Sequence, residues 1–252
     1  MSSISKTIVI TGGTKGIGAA IAEECRMGGM SVLVGSRKSH GPVKNLDGQV
    51  RFKKMDVRRE SDHIRLAQSA LKWTGRLDVY INCAGYSEWR SVARVDQRFW
   101  ETMIDTNLKG TFWGCKTAAR FLSPGGVIIN VSSLAGKRGS ANNSVYCASK
   151  FGVTGLTQAL AKELGPVGIR VNALCPVYVP TESLWDALKD KESPTKGKNI
   201  NAYLKKFARE QAALGKLPTA REVAKACLFL ASDKASAITG QSINIDCGVL
   251  PQ

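Results

Sequence analysis

Tyr146 and Lys150 stand four residues apart, and Ser133 precedes the tyrosine by thirteen. On a helix that spacing puts a phenol and an ammonium on one face. A phenol with a pKa of about 10 is a poor acid or base at neutral pH, but a neighbouring positive charge stabilises phenolate and pulls the value down. Such a tyrosine can give a proton to a developing alkoxide or take one back. The pair alone also fits an ordinary amphipathic helix surface, so its surroundings decide. Ser132 and Ser133 end the apolar run Val127–Val131. Strand alternation turns one of them toward whatever lies at the strand's end and the other away. A hydroxyl placed there can donate to an oxygen as charge builds on it.

A second chemical signal lies near the amino terminus. Thr11-Gly12-Gly13-Thr14-Lys15-Gly16-Ile17-Gly18 follows a short β-branched run and opens a stretch with Ile17 and Ile21 spaced by four. Glycines at a strand-to-helix junction let the backbone turn tightly against a pyrophosphate, which meets the free amides and positive end of the helix. After the second apolar run come Ser36, Arg37 and Lys38. A carboxylate there would suit a ribose 2′-hydroxyl, whereas a guanidinium pairs with a 2′-phosphate. Lys15 adds a second cation, and together they predict NADP(H) as cofactor.

The elements that must hold these residues alternate along the whole chain. Apolar runs at 7–11, 31–35, 51–55, 79–83, 127–131, 170–175 and 242–246 read as strands. Amphipathic stretches at 16–27, 61–73, 105–122, 144–164 and 219–230 read as helices, punctuated by Gly or Pro. This rhythm predicts an α/β fold: one Rossmann-like, doubly wound parallel sheet of about seven strands with helices on both faces. With no linker in sight, residues 1–252 are expected to form one domain. The rhythm breaks at about 177–217, where Pro180, Pro194, Pro218 and a lysine-rich stretch accompany a weak helix near 201–214. Long interruptions above a sheet's carboxyl edge are usually functional, so a substrate lid is expected, with a disordered insertion as the alternative.

The set of motifs resembles the short-chain dehydrogenase/reductase family. Thr-Gly-x3-Gly-x-Gly is followed by Asn82-Cys83-Ala84-Gly85, similar to the family's Asn-Asn-Ala-Gly, then Asn107 at the head of a helix, Ser133, and Tyr146-x3-Lys150. The match runs from Thr11 to Asp246. It implies an NADP(H)-dependent oxidoreductase that moves hydride between the cofactor and a ketone, aldehyde or alcohol. Tyr146 is the implied acid/base, with Ser133, Lys150 and Asn107 in the catalytic set; Asn107 would hold a water that links Lys150 to solvent. Gly12, Thr14, Lys15, Gly16, Ile17, Gly18, Ser36, Arg37, Asp56, Val57, Asn82, Ala84, Gly85, Tyr146, Lys150, Val179 and Thr181 would bind the cofactor, with Asp56-Val57 lining the adenine. Val177 replaces the glycine of the family's Pro-Gly-x-Val-x-Thr and would be strained if that position needs a positive φ. Cys83 and Cys247 are milder departures. A 3-oxoacyl-thioester reductase, acting on a carrier protein or CoA ester, and a non-catalytic dinucleotide sensor are the alternatives; enoyl reductases have a wider Tyr-to-Lys spacing.

Composition narrows the partners. The net charge is +16 and the pI about 9.7, but the basic residues are spread from Lys6 to Lys234 instead of forming an arginine-rich block with aromatics. Solubility and attraction of an anionic cofactor are expected, not nucleic-acid binding. The seven cysteines include no C-x-x-C pair and sit mostly in apolar runs, as in a reducing cytoplasm. His40 and His63 are too few and too isolated for a zinc cluster. No leader or membrane span is expected. A homodimer or homotetramer is implied by the resemblance, with Phe112, Trp113, Phe151 and Leu156 on the two long helices available for it.

Overall fold

The computed structural model describes residues 5–39 and 48–251. His40 lies outside the described residues. Seven strands form one sheet in the order β3-β2-β1-β4-β5-β6-β7. They are β1 (Thr7–Thr11), β2 (Ser31–Ser36), β3 (Val50–Lys54), β4 (Val79–Asn82), β5 (Val127–Val131), β6 (Arg170–Pro176) and β7 (Ser242–Ile245). Every neighbouring pair is parallel. Parallel strands covered on both faces carry apolar runs in place of alternation, which is why Ile8, Val9 and Ile10 are all buried.

One face is packed by α1 (Gly16–Met27) and α8 (Ala220–Ala231), whose Ile21, Cys25, Val223 and Cys227 meet Ile8, Ile10, Val32 and Ile129. The other is packed by α2 (Glu60–Thr74), α4 (Gly110–Phe121) and α5 (Ser144–Leu164), through Leu66, Cys115 and Ala161. Local chemistry sets several of the ends. Gly75 takes φ 76° to stop α2, Asp96 accepts from Phe99 N to start α3 (Gln97–Ile104), and Thr219 with Glu222 forms a capping box on α8. Chain order reverses between β1 and β4, so their carboxyl ends open a crevice of the kind that takes dinucleotides.

The expected strands match to within a residue or so, and two regions differ. The helix expected from 105 begins earlier, as α3, and continues through a π-helical turn, Asp105–Lys109, into α4. Asn107 therefore sits inside a helical run, not at its head. Between β6 and α8 the chain carries two helices, α6 (Glu182–Leu188) and α7 (Ile200–Gln211). Leu188, Leu204 and Trp89 form a small apolar core of their own there, so this segment is packed and not a disordered insertion.

Candidate active site

The turn after β1 is shaped by close approach. Gly12 has φ 71°, and a Cβ on it would lie 2.6 Å from Ala84 Cα. A Cβ on Gly18 would collide with the Gly12 carbonyl. Lys15 caps α1 without a side-chain hydrogen bond, leaving first-turn amides open. A cleft of about 800 Å³ spreads from this turn. Its walls include Gly12, Thr14, Lys15, Gly16, Ile17, Gly18, Ser36, Arg37, Asp56, Val57, Ala84, Gly85, Tyr146, Lys150 and Thr181. Lys15 and Arg37 form no ion pair among the described residues. Ser36, held by Thr14 Oγ1 at 3.2 Å, offers no carboxylate. The glycine cradle, open amides and free cations fit a phosphorylated dinucleotide.

The far end of the cleft is clamped from α2. Asp62 Oδ2 accepts from Asp56 N at 2.8 Å, and His63 Nε2 meets the Val57 carbonyl at 2.9 Å. A carbonyl only accepts, so Nε2 carries the proton and Nδ1 accepts from Tyr80 Oη at 2.9 Å. Burial holds His63 below the usual histidine pKa. Arg58, which sequence reasoning missed, lines the cleft and pairs with Asp56 at 2.6 Å, holding that carboxyl below its ordinary value.

Tyr146 and Lys150 lie on the first turns of α5, facing the end of β5. Lys150 is buried, its Nζ donating to Val131 O at 2.9 Å and lying 5.7 Å from the centre of the Tyr146 ring. Burial lowers its pKa to about 8. Burial pushes the Tyr146 phenol up to about 12, with a hydrogen bond from Ser133 acting in the opposite direction. Lys150 is not among the groups that shift the phenol, so the expected lowering by the ammonium is not seen in the protein alone, where desolvation dominates. Ser132 turns inward, donating to Lys150 O at 3.1 Å, whereas Ser133 is the serine beside the phenol.

Asn107 is buried: its Oδ1 accepts from Tyr86 N at 2.8 Å, and its Nδ2 donates to Tyr86 O and Ser149 Oγ. A Cβ on Gly85 would sit 3.7 Å from Asn107 Oδ1 and 3.8 Å from Lys150 Nζ, so the glycine leaves the space between them open.

A second cavity, about 230 Å³, adjoins the cleft and shares Tyr146 and Thr181 with it. Trp89, Ser133, Tyr178 and Leu184 line it, as do Arg138, Asn143 and Phe207, which sequence reasoning missed because the stretch before α5 and the distant α7 meet only in the fold. Trp185 and Leu188 instead pack in the small core behind it. Two expected cofactor residues lie outside the walls of the cleft. Asn82 lines neither space; buried at the end of β4, it donates to Asn130 Oδ1 at 2.9 Å and packs against Gly114. Val179 is in the wall of the smaller cavity, not the cleft. Val177 is absent from the positive-φ residues, so no strain arises there, whereas Cys247 has φ 56°.

A family model described as enoyl-(acyl carrier protein) reductase matches residues 12–250. The chain belongs to the short-chain dehydrogenase/reductase family. It is 36% identical to a ketoacyl reductase of the monensin polyketide synthase from Streptomyces virginiae, over 98% of each chain. It is 32% identical to the 3-oxoacyl-[acyl-carrier-protein] reductase FabG of Chlamydia trachomatis, again over 98% of each. Among solved structures of this family, a variant of the actinorhodin polyketide ketoreductase with NADPH superposes with a TM-score of 0.88 at 28% identity, covering 99% of both chains. The ligand-free aldohexose dehydrogenase of Thermoplasma acidophilum gives 0.87 at 28% identity, covering 97% of this chain and 94% of that one.

Proposed function

We propose that this family member is an NADP(H)-dependent carbonyl reductase, a secondary alcohol dehydrogenase in reverse, with Tyr146 as its acid/base. The observation that carries the reading is Tyr146 standing where cleft and smaller cavity meet, flanked by Ser133 and Lys150. Bound NADPH would supply the hydride. Gly12, Thr14, Gly16, Ile17 and Gly18 would seat the pyrophosphate, Lys15, Ser36 and Arg37 the 2′-phosphate, and Asp56 and Val57 the adenine. Ala84, Gly85, Val179 and Thr181 would border the nicotinamide half.

The protein's own part is the proton. A phenol pushed up to about 12 is protonated at neutral pH and so is ready to donate to a carbonyl oxygen as negative charge builds on it. Ser133 donates to the same oxygen. Lys150, at about 8, is mostly charged at neutral pH and stabilises the phenolate left behind. A water in the space beside Gly85 would connect Lys150 through Asn107 for reprotonation. The 177–217 segment, which supplies Tyr178, Leu184 and Phe207 to the cavity wall, acts as the lid. The 3-oxoacyl thioester reading keeps the same chemistry and is favoured by the names of the two curated relatives.

Single-turnover oxidation of NADPH with a 3-oxo ester tests the assignment. Tyr146→Phe keeps the ring but removes the proton donor, so the rate should fall roughly 10²–10⁴-fold with NADPH binding retained. Near wild-type turnover would sink the mechanism, and an intact protein that binds NADPH yet reduces no carbonyl would be a dinucleotide sensor. We assign Phe112 and Phe151, 41% and 47% exposed on α4 and α5, to the interface of a homodimer or homotetramer. Light scattering giving the 27.1 kDa chain mass would contradict that. The seven free cysteines fit the reducing cytoplasm, and recovery of the protein outside the cytosolic fraction would argue otherwise.

A further inference from the structure

The smaller cavity is walled mainly by apolar side chains, among them Trp89, Leu134, Val177, Leu184 and Phe207. Among the described residues, one charged side chain lines it, that of Arg138. The guanidinium is exposed and has neither ion pair nor side-chain hydrogen bond among the described residues. This isolation contrasts with its surroundings: Arg90, Arg94 and Lys189, on elements around the same cavity, are each held by a carboxylate. Among the described residues, no Asp or Glu stands in the wall to compete for the Arg138 charge.

Two residues of that wall carry a polar atom with no partner among the described residues, and both atoms are closed off from the cavity's open space. Trp89 Nε1 is a buried donor and Asn143 Oδ1 a buried acceptor, both unsatisfied, on residues 4% and 5% exposed. Arg138 is also close enough to act on the Tyr178 phenol, which in turn feels Tyr146, so the cation and the proposed proton donor share one small space.

We infer that Arg138 is the anion anchor of this cavity, and that the preferred substrate is a compact oxo compound bearing a carboxylate or phosphate. The inference rests on the carbonyl-reductase reading and adds to it the chemical class of the substrate. A guanidinium holds a carboxylate or a phosphate through two parallel hydrogen bonds, and does so best where no internal acid competes. An uncharged ketone gains nothing from it.

The test compares 3-oxobutanoate with its methyl ester, and with 3-oxobutanoyl coenzyme A, whose anionic groups are phosphates. For wild type, KM for at least one anionic compound should lie well below that of the ester. Arg138→Leu should raise that KM by roughly tenfold or more while kcat and the kinetics of the ester stay put, and Arg138→Lys should recover part of the loss. An effect on the free acid alone assigns the anchor to a carboxylate, and an effect on the coenzyme A ester alone assigns it to a phosphate. Equal KM values for ester and both anions, or a Leu variant that slows all three alike, would overturn the anchor. If none of the three oxidises NADPH, the reductase reading is what fails, and calorimetric titration of the NADPH-loaded protein with 3-oxobutanoate and with coenzyme A then judges the anchor. Weaker binding of either anion to Arg138→Leu supports it, and unchanged binding of both overturns it.

Discussion

The cofactor cleft and the smaller cavity beside it are built on opposite plans. The cleft is shaped by main chain: a glycine turn at Gly12, the end of β2 at Ser36, and a loop whose Asp56 N–H and Val57 carbonyl are both clamped by α2. Each of these pieces is local in sequence, and the sheet brings them together by running in parallel register. The cavity is made of side chains from residues as far apart as Trp89, Arg138 and Phe207. Only the packing of α6 and α7 on Trp89 brings those together. A dinucleotide common to many enzymes is met by backbone geometry, and the part of the substrate that varies is met by side chains on a separately packed segment.

The largest expected effect on the cleft side is charge reversal at Arg37. If Arg37 pairs with the 2′-phosphate, Arg37→Asp should weaken NADPH binding by about 1.5–3 kcal/mol and leave NADH binding nearly unchanged, because only the phosphate contact is lost. KM for the carbonyl should not move. Fluorescence titration with the two nucleotides checks the first statement and steady-state kinetics the second. A variant that loses both nucleotides equally would mean that Arg37 acts on the whole cleft through Asp56, whose carboxyl it helps to hold below the usual value.

The same contrast explains what could be read from the sequence. The strands, the glycine turn, Tyr146-x3-Lys150 and the cation at Arg37 follow from local pattern, since runs of β-branched residues and glycine at a strand end have few other uses. The π-helical turn at Asp105–Lys109 left no such mark, because its residues also suit an ordinary helix; Asn107 consequently looked like a helix start. Asn82 looked like a cofactor ligand from its motif, yet its amide is used to tie β4 to Asn130 on β5. Arg138 and Asn143 precede α5 without any local periodicity, and only the tertiary arrangement shows that they share a wall.

A smaller effect is expected from His63, which tests whether the cleft's backbone must be held from beneath. His63→Leu leaves the Val57 carbonyl and the Tyr80 hydroxyl without partners, at a cost of about 1–3 kcal/mol in stability. If the clamp also positions the adenine loop, KM for NADPH should rise several-fold while kcat holds, because one loop that contacts the nucleotide loses its hydrogen-bonded support. The wild type should carry a pH signature that the variant lacks. Burial keeps the folded-state pKa of His63 below that of the unfolded chain, so the folded form binds fewer protons. Its contribution to stability is therefore complete above about pH 6.5 and declines as the pH falls from there toward the folded value. Denaturant titrations across that window measure the slope, and identical slopes for wild type and variant would remove His63 from the account.

The smallest effect lies at Cys247, on the border between the sheet and the lid-side segment. Its carbonyl accepts from Leu214 N at 3.1 Å, just beyond α7, and the turn around it is closed by Asp246, which accepts from Gly248 N and Leu250 N at 3.0 and 2.8 Å. The turn demands φ 56° of Cys247, a left-handed conformation that costs an L residue with a Cβ roughly 1–2 kcal/mol. Glycine would remove that strain but also loosen the unfolded chain, which returns about 0.4–1 kcal/mol of the gain. Cys247→Gly should thus stabilise the protein slightly, by about 0.5–1 kcal/mol, which for a chain of this size raises Tm by only about 1–4 °C. Cys247→Ala is the discriminating control, since it deletes the thiol while keeping the Cβ and its strain, and should give no increase. Calorimetric scans under reducing conditions separate the outcomes. A rise in Tm for glycine alone assigns the effect to backbone strain, a rise for both assigns it to the thiol, and a fall for both means that packing of the sulfur against the turn outweighs the conformation it imposes.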